Sequence, residues 1–367
     1  MKIIGFYMSN ERIMIPHNKP TIEQDDLDIV ADTLKSKWIG LGGKNVSAFE
    51  SEISTYLNGN GKSVTTESGT AALHLALLSL NIKKGDEIIL PSYICSAVLN
   101  SINYIGAKPV LADINSSDFN ISYESTRKKI TSKTKAIIVA HIYGMPADLD
   151  DFLGLDIPII EDCAQSIGAQ YRKTKVGNFG EISIFSFYAS KLLTTGKGGA
   201  VYSKNDELTD YIHDLVDCDC RLSYKIRYNY RLSDFQAALG ISQLRKLDGF
   251  IARRKTIAEQ YTEIIGQKKR SSVGKITDDE KENVWYRYVI ISDKKPEKIK
   301  EKFVKKGIMV INPLEPWELL HNYLNLNKGD FPNAEKMAKQ TISIPIFPSL
   351  TDEDVEKISH AIGEIYD

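Results

Sequence analysis

The 367-residue chain has little cysteine, no long apolar run and no excess of either charge. Its four cysteines, Cys95, Cys163, Cys218 and Cys220, make no CxxC pair and no disulfide-framework spacing, which fits a reducing cytoplasm. No apolar run approaches the ~18 residues needed to span a bilayer. The opening MKIIGFYMSNER is interrupted by charge and lacks the apolar stretch of a signal peptide. Lys+Arg total 47 and Asp+Glu 48, a net charge of −1, so the electrostatic footprint of a nucleic-acid or membrane-surface binder is missing. No pair among the six histidines has a metal-ligand spacing such as HExxH, and no metal site is expected. The Cys218–Cys220 triplet is too short for a zinc knuckle and is expected to pack under a loop. The basic run Lys268–Arg270 reads as a solvated face.

What is present suits a folded α/β protein. Hydrophobic residues make up 42%, enough for a sizeable core, and this excludes global disorder. At roughly 150 residues per domain the length allows two or three domains. Asp86–Leu90, Lys108–Ile114, Lys135–Tyr143, Ile157–Glu161 and Ile182–Phe187 read as strands, Ile- and Val-rich and mostly apolar on both faces. That pattern predicts a sheet covered by helices on both sides. Ala71–Leu80 is apolar nearly all round, like a buried helix. The pattern predicts a large α/β domain over residues 1–250 and a smaller α+β domain over 251–367. A helix over Asp248–Ile265 leads into the second, and Gly266–Asn283 reads as a loop or exposed edge. Val284–Ile291 follows as a strand, then Lys298–Lys306 as a helix stopped by Gly307. Thr351 and Asp354 form a capping box before a last helix with Val355, Ile358, Ile362 and Ile365 on one face.

Three segments carry chemistry. Lys191 follows a buried strand and precedes the glycine-rich Thr194–Gly199. Two readings fit it: a lysine that snorkels from the sheet edge, or an amine that forms a Schiff base with a carbonyl. In Ser68–Leu77 a strand over Ser63–Thr66 turns at Gly69 into a helix opening at Thr70. The free N–H groups of such a start can hold an anion, although a plain capped helix looks the same. Asp162 ends an apolar strand, where α/β sheets place ligand-binding groups, and Gln165 follows it. Asp162 could equally cap the next helix. Together the three segments match the needs of pyridoxal phosphate: an amine for its aldehyde, a carboxylate for its ring nitrogen and an anion site for its phosphate.

The segments SGTAALHLAL, PSY, GAKPVLADI, HIYGMPADLD, IEDCAQSIGA, FSFYASKLLTTGKGGA and YNYRLSDFQAALGISQL stand in this order. In this set the chain, from about Pro16 to Ile362, resembles the DegT/DnrJ/EryC1/StrS aminotransferases. The resemblance implies a fold-type I pyridoxal phosphate enzyme: a large domain with a mostly parallel central sheet flanked by helices, and a small C-terminal domain. It implies Lys191 as the Schiff-base lysine and proton shuttle, Asp162 as partner of the ring nitrogen and Gln165 near the ring oxygen. Gly69, Thr70, Ala71 and Ser186 would hold the phosphate. Asn229 would reach the phosphate of a partner subunit, with Arg231 a second candidate at that interface, so active sites would be shared across a homodimer. The implied reaction moves an amino group from glutamate, or glutamine, to a keto sugar, by a two-stage, ping-pong course. Amination of a small phosphorylated or other non-nucleotide carbonyl, sugar dehydration and non-catalytic regulation are the alternatives. Lys191 argues against dehydration, since dehydratase relatives carry His there. Three departures stand out. Cys95 occupies the position of an aromatic residue that covers the cofactor ring, leaving Cys95 or Tyr93 to do so. Tyr188 stands in place of His. Asn312 and Pro313 replace a His-Tyr pair in the substrate-contacting C-terminal segment.

Overall fold

The computed structural model describes residues 14–219, 221–267, 280–292 and 295–366. The opening dodecapeptide, Cys220 and the run Lys268–Arg270 lie outside the described residues, as does the Ile365 side chain. Along the chain the strands are β1 (Lys62–Thr66), β2 (Glu87–Pro91), β3 (Lys108–Ala112), β4 (Thr134–Ala140) and β5 (Ile159–Asp162). A short hairpin, β6 (Gln170–Tyr171) and β7 (Thr174–Lys175), precedes β8 (Ile182–Ser186) and β9 (Gly199–Ser203). β10 (Lys281–Glu282), β11 (Tyr288–Ile291) and β12 (Thr341–Ile344) complete them.

Seven strands form the central sheet in the order β1-β9-β8-β5-β4-β2-β3. β9 pairs antiparallel with both its neighbours, and the other pairings are parallel. Its residues alternate between two cores. Ile88, Leu90, Ile138 and Ile160 enter one, and Ile89, Ile137, Val139 and Ile159 enter the other. Burial on both faces explains why these strands read as continuous apolar runs. Each fully buried aliphatic side chain contributes roughly 1.5–3 kcal/mol, so both faces anchor the sheet. The helix Gly69–Ser79 lies against it with Ala71 to Leu77 all buried, as its all-round apolar character predicts.

A third core gathers Ile257, Tyr261, Trp285, Tyr288, Phe303, Ile344 and Ile362, together with Ile15 from the start of the described chain. The antiparallel pair β11–β12 runs through it. Two elements differ from expectation. The helix expected from Asp248 begins at Asp234 and runs unbroken for 34 residues to Gln267. Gly240 lies within it and gives room to Phe49, since a Cβ there would fall 2.5 Å from that ring. The strand expected from Val284 starts only at Tyr288, since Trp285 has φ +52° and the segment 284–287 folds onto the Tyr143–Gly144 turn. The capping box is present: the Asp354 N–H donates to Thr351 Oγ1 at 3.1 Å and the Thr351 N–H to Asp354 Oδ2 at 3.3 Å. Among the described residues no helix is long and apolar enough to cross a membrane. Cys218 is exposed rather than packed under a loop, because it follows the end of the helix Asp206–Leu215 on the surface.

Candidate active site

The carboxyl ends of β1, β2, β5 and β8 converge. There a cavity of about 350 Å³ is lined by Gly69, Thr70, Cys95, Asp162, Ser186 and Lys191. This is where parallel sheets place ligands, and the volume suits a small cofactor.

The helix Gly69–Ser79 presents its N-terminus to the cavity. Ser68 caps it, its Oγ accepting the Ala71 N–H at 3.1 Å. Ala71 is thus bonded internally and lies behind the wall, whereas Gly69 and Thr70, ahead of the first intrahelical bond, line it. A Cβ on Gly69 would fall 2.9 Å from Ser186 Cβ, and one on Gly199 would fall 2.6 Å from the Gly69 nitrogen. The glycines let backbone and Ser186 form a cradle that any side chain would fill. Asp162 is buried, and among the described residues only the Ala164 N–H, at 3.0 Å, donates to its carboxylate. Burial raises its pKa, against the Ala164 N–H and the charge of Lys191. A buried carboxylate with so few donors suits a protonated ring nitrogen facing it. The cradle, the carboxylate and the amine therefore fit pyridoxal phosphate.

Lys191 sits in a loop that folds back on itself: the Phe187 N–H donates to Gly198 O at 2.8 Å and the Ala189 N–H to Gly196 O at 3.1 Å. Asn18 Nδ2 donates to Ser190 O at 2.8 Å, tying the start of the described chain to this loop. Lys191 Nζ stands 5.1 Å from the centroid of the Tyr286 ring.

Beneath Asp162, the buried Glu161 accepts N–H bonds from Gly177, Phe179 and Gly180 at 2.7–2.8 Å and one from His141 Nε2 at 3.1 Å. His141 Nδ1 accepts the Ala147 N–H, which leaves the ring proton on Nε2. Burial would raise the Glu161 pKa, but the His141 bond and backbone N–H groups outweigh it and hold it below the usual value. Donor atoms of His141, Glu161 and Cys163 lie within 4.8 Å of one another, with the carboxylate and imidazole already committed to these bonds.

Other expected residues lie outside the cavity wall. Gln165 is half-buried, its Oε1 accepting the Tyr143 N–H at 2.9 Å. Asn229 is exposed. Arg231 pairs with Asp217 at 2.8 Å. Tyr93 points into the core, bonding Tyr143 Oη at 2.9 Å, so it does not reach the cavity and Cys95 holds the wall there. Cys95 is exposed to solvent at this wall.

The sequence pattern gave no sign of Tyr286. Arg254, fully buried, donates to Trp285 O, Tyr286 O and Ile346 O and so fixes its backbone. Burial opposes ionisation of the phenol, but Lys191, Arg287 and a Ser190 hydrogen bond prevail and bring it down to about 8. An apolar-looking VWYRY run conceals this, because only the distant Lys191 loop gives the tyrosine its setting.

A lysine amine, a buried carboxylate and a glycine-built cradle lining one cavity at the carboxyl edge of a mostly parallel sheet fit a pyridoxal phosphate-dependent enzyme of fold type I. Residues 20–363 match the DegT/DnrJ/EryC1/StrS aminotransferase family, and the chain belongs to it. It is 32% identical to the GDP-perosamine synthase of Escherichia coli O157:H7, over 96% of this chain and 98% of that one. Spr1654 of Streptococcus pneumoniae, solved in its PMP form, superposes with a TM-score of 0.89 at 27% identity, covering 96% and 98% of the two chains. Its PLP form has also been solved and superposes equally well. PseC of Helicobacter pylori, an aminotransferase of pseudoaminic acid biosynthesis, gives 0.88 at 26% identity, covering 96% and 99%.

Proposed function

We propose that this aminotransferase moves an amino group from glutamate to the ketone of a nucleotide-linked sugar, in the cytoplasm, for the building of amino-sugar polysaccharides. The carrying observation is that Lys191, Asp162 and the Gly69–Thr70–Ser186 cradle line one cavity. The GDP-perosamine synthases of Escherichia coli and Vibrio cholerae, each 32% identical, and a spore-coat polysaccharide biosynthesis protein of Bacillus subtilis, 30% identical, support the sugar acceptor. Bound here, pyridoxal phosphate supplies an aldehyde that condenses with amines and a ring that accepts electrons from the adjacent carbon. Lys191 Nζ would hold it, would give it up to the donor amine, and would take the proton from the donor's α-carbon. Asp162 keeps the ring nitrogen protonated. Gly69, Thr70 and Ser186 hold the phosphate, with Ala71 behind them giving its N–H to Ser68; Gln165, outside the wall, has its amide Nε2 left to serve the ring oxygen, and Cys95 covers a ring face. Because the keto acid leaves before the sugar enters, the kinetics are ping-pong. Asn229 completes the phosphate site of a second subunit in a homodimer.

Borohydride reduction of the holoenzyme should link the cofactor irreversibly to Lys191, and labelling of another lysine by peptide mapping would refute that role. The acceptor is tested by offering nitrogen-15 glutamate with a panel of keto compounds and reading products by mass spectrometry. Label entering a nucleotide-linked keto sugar is the expected result. Label entering only small phosphorylated or free carbonyl compounds would replace this reading.

A further inference from the structure

Arg287 follows Tyr286 and stands half-buried beside the Lys191 loop. Among the described residues its side chain meets the Tyr286 ring, 5.4 Å from guanidinium carbon to centroid, and His17 Nε2, 3.5 Å from Nη1, but no carboxylate. Arginine only donates, so His17 Nε2 must accept. Nε2 also lies 2.8 Å from Ser343 Oγ. Burial, then Arg287 and Arg254, lower the His17 pKa well below its ordinary value, so the imidazole is neutral and brings no counter-charge. Removing part of a guanidinium's hydration without an anion in exchange is costly. Elsewhere Arg245 pairs with Glu52, Arg253 with Asp352 and Arg172 with Asp150, and the buried Arg254 is held by three backbone carbonyls, whereas among the described residues Arg287 has neither kind of acceptor beside its neutral histidine.

Position narrows what the missing anion is. Lys191 Nζ and the Arg287 guanidinium flank the same Tyr286 ring, at 5.1 Å and 5.4 Å from its centroid. The shared ring places Arg287 in the neighbourhood of the lysine amine, although it does not line the cavity wall itself. A single guanidinium fork matches the two oxygens of one carboxylate, whereas a diphosphate carries more charge than one arginine beside a neutral histidine answers.

We propose that Arg287, braced by His17 and Ser343, binds a carboxylate of the amino donor. The proposal rests on the aminotransferase reading above and adds the donor's subsite to it. The pairing leaves the acceptor's binding to other residues, so the two half-reactions separate the roles.

The test titrates glutarate, a dicarboxylate with no amine to react, into holoenzyme by calorimetry, with inorganic pyrophosphate as the second ligand. Arg287→Gln should weaken glutarate at least about tenfold, the usual worth of a charge-assisted hydrogen bond, and leave pyrophosphate unchanged. Arg287→Lys, which keeps charge but loses the fork, should fall between. In the donor half-reaction, followed by cofactor absorbance, KM for glutamate should rise far more than kcat falls. Arg287→Met keeps the stem over Tyr286 and takes the same test if the Gln variant does not fold. Glutarate that fails to bind the parent, or binds the variants as tightly, overturns the proposal, and so does a loss confined to pyrophosphate. None of these readings needs a sugar. If instead no keto sugar is aminated while glutarate depends on Arg287, only the acceptor assignment fails.

Discussion

Asp162 presents a carboxylate to the cavity with a single backbone donor, and burial raises its pKa. Such a group gains most from a cationic partner, and it gives most when charge develops on the bound ring. Asp162→Asn should therefore keep cofactor binding more than rate. Loss of one such interaction costs a few kcal/mol, roughly a hundredfold in kcat. A rate within about twofold of the parent, measured at saturating donor, would make Asp162 a turn-capping residue only. Tyr286 makes a second prediction. Its phenol is held at about 8 by nearby cations despite burial, so it is neutral below that pH and ionised above it. The linked stability is present above the ordinary tyrosine value, about 10, and fades as pH falls through about 8. Ultraviolet titration of the cofactor-free protein should show one tyrosinate forming near pH 8. Tyr286→Phe should remove that step, and Lys191→Ala should move it upward. A step that stays in place in Lys191→Ala would mean the lysine does not set it.

Among the elements, β5 carries the site because its lower neighbour is locked. Glu161 joins β5 to the Gly177–Gly180 turn through three N–H groups, and to β4's end through His141. Glu161→Gln loses an acceptor charge that four donors serve. Bonds to a charged acceptor contribute roughly 1.5–3 kcal/mol each, so unfolding in urea should show a loss of at least about 2 kcal/mol at pH 7. Because the folded Glu161 pKa is depressed, this stability is present above the ordinary carboxyl value, about 4.3, and is lost as pH falls through the lower folded one. The gap between parent and variant should narrow on acidification, and a gap independent of pH would place the effect elsewhere. The central strands were legible because burial on both faces selects Ile and Val with no polar alternation. The lysine loop and the helix start were legible because glycines mark close backbone approach. The turn at Trp285 was not, since its left-handed backbone hides in an apolar run and depends on Tyr143 and Gly144, over 140 residues away in sequence. Nor was the meeting of His17, Lys191 and the adjacent Tyr286 and Arg287, which three distant segments assemble.

For the whole molecule, the proposed second subunit is the remaining part of the site. Asn229 is exposed, and the same loop carries Leu222, Tyr224 and Ile226, all highly exposed apolar residues. Trp38, Ile39 and Leu41 are exposed as well. Clustered exposed apolar groups of this kind mark surfaces that a partner covers. If Asn229 reaches across a two-fold interface, neither subunit holds a complete site and the arrangement is reciprocal. Lys191→Ala and Asn229→Ala subunits can then complement. In a mixed dimer one site takes both defects and the other takes neither. Random re-association of equal amounts makes about half the dimers mixed, each with one intact site of two, so activity should recover to about a quarter of the parent. Each variant must first be nearly inactive alone, because loss of one phosphate hydrogen bond costs only about 1 kcal/mol in many settings. With that established and subunit exchange verified by mass-tagged chains, recovery near a quarter supports the shared site. No recovery would mean that Asn229 serves its own chain and that the exposed loop has another partner.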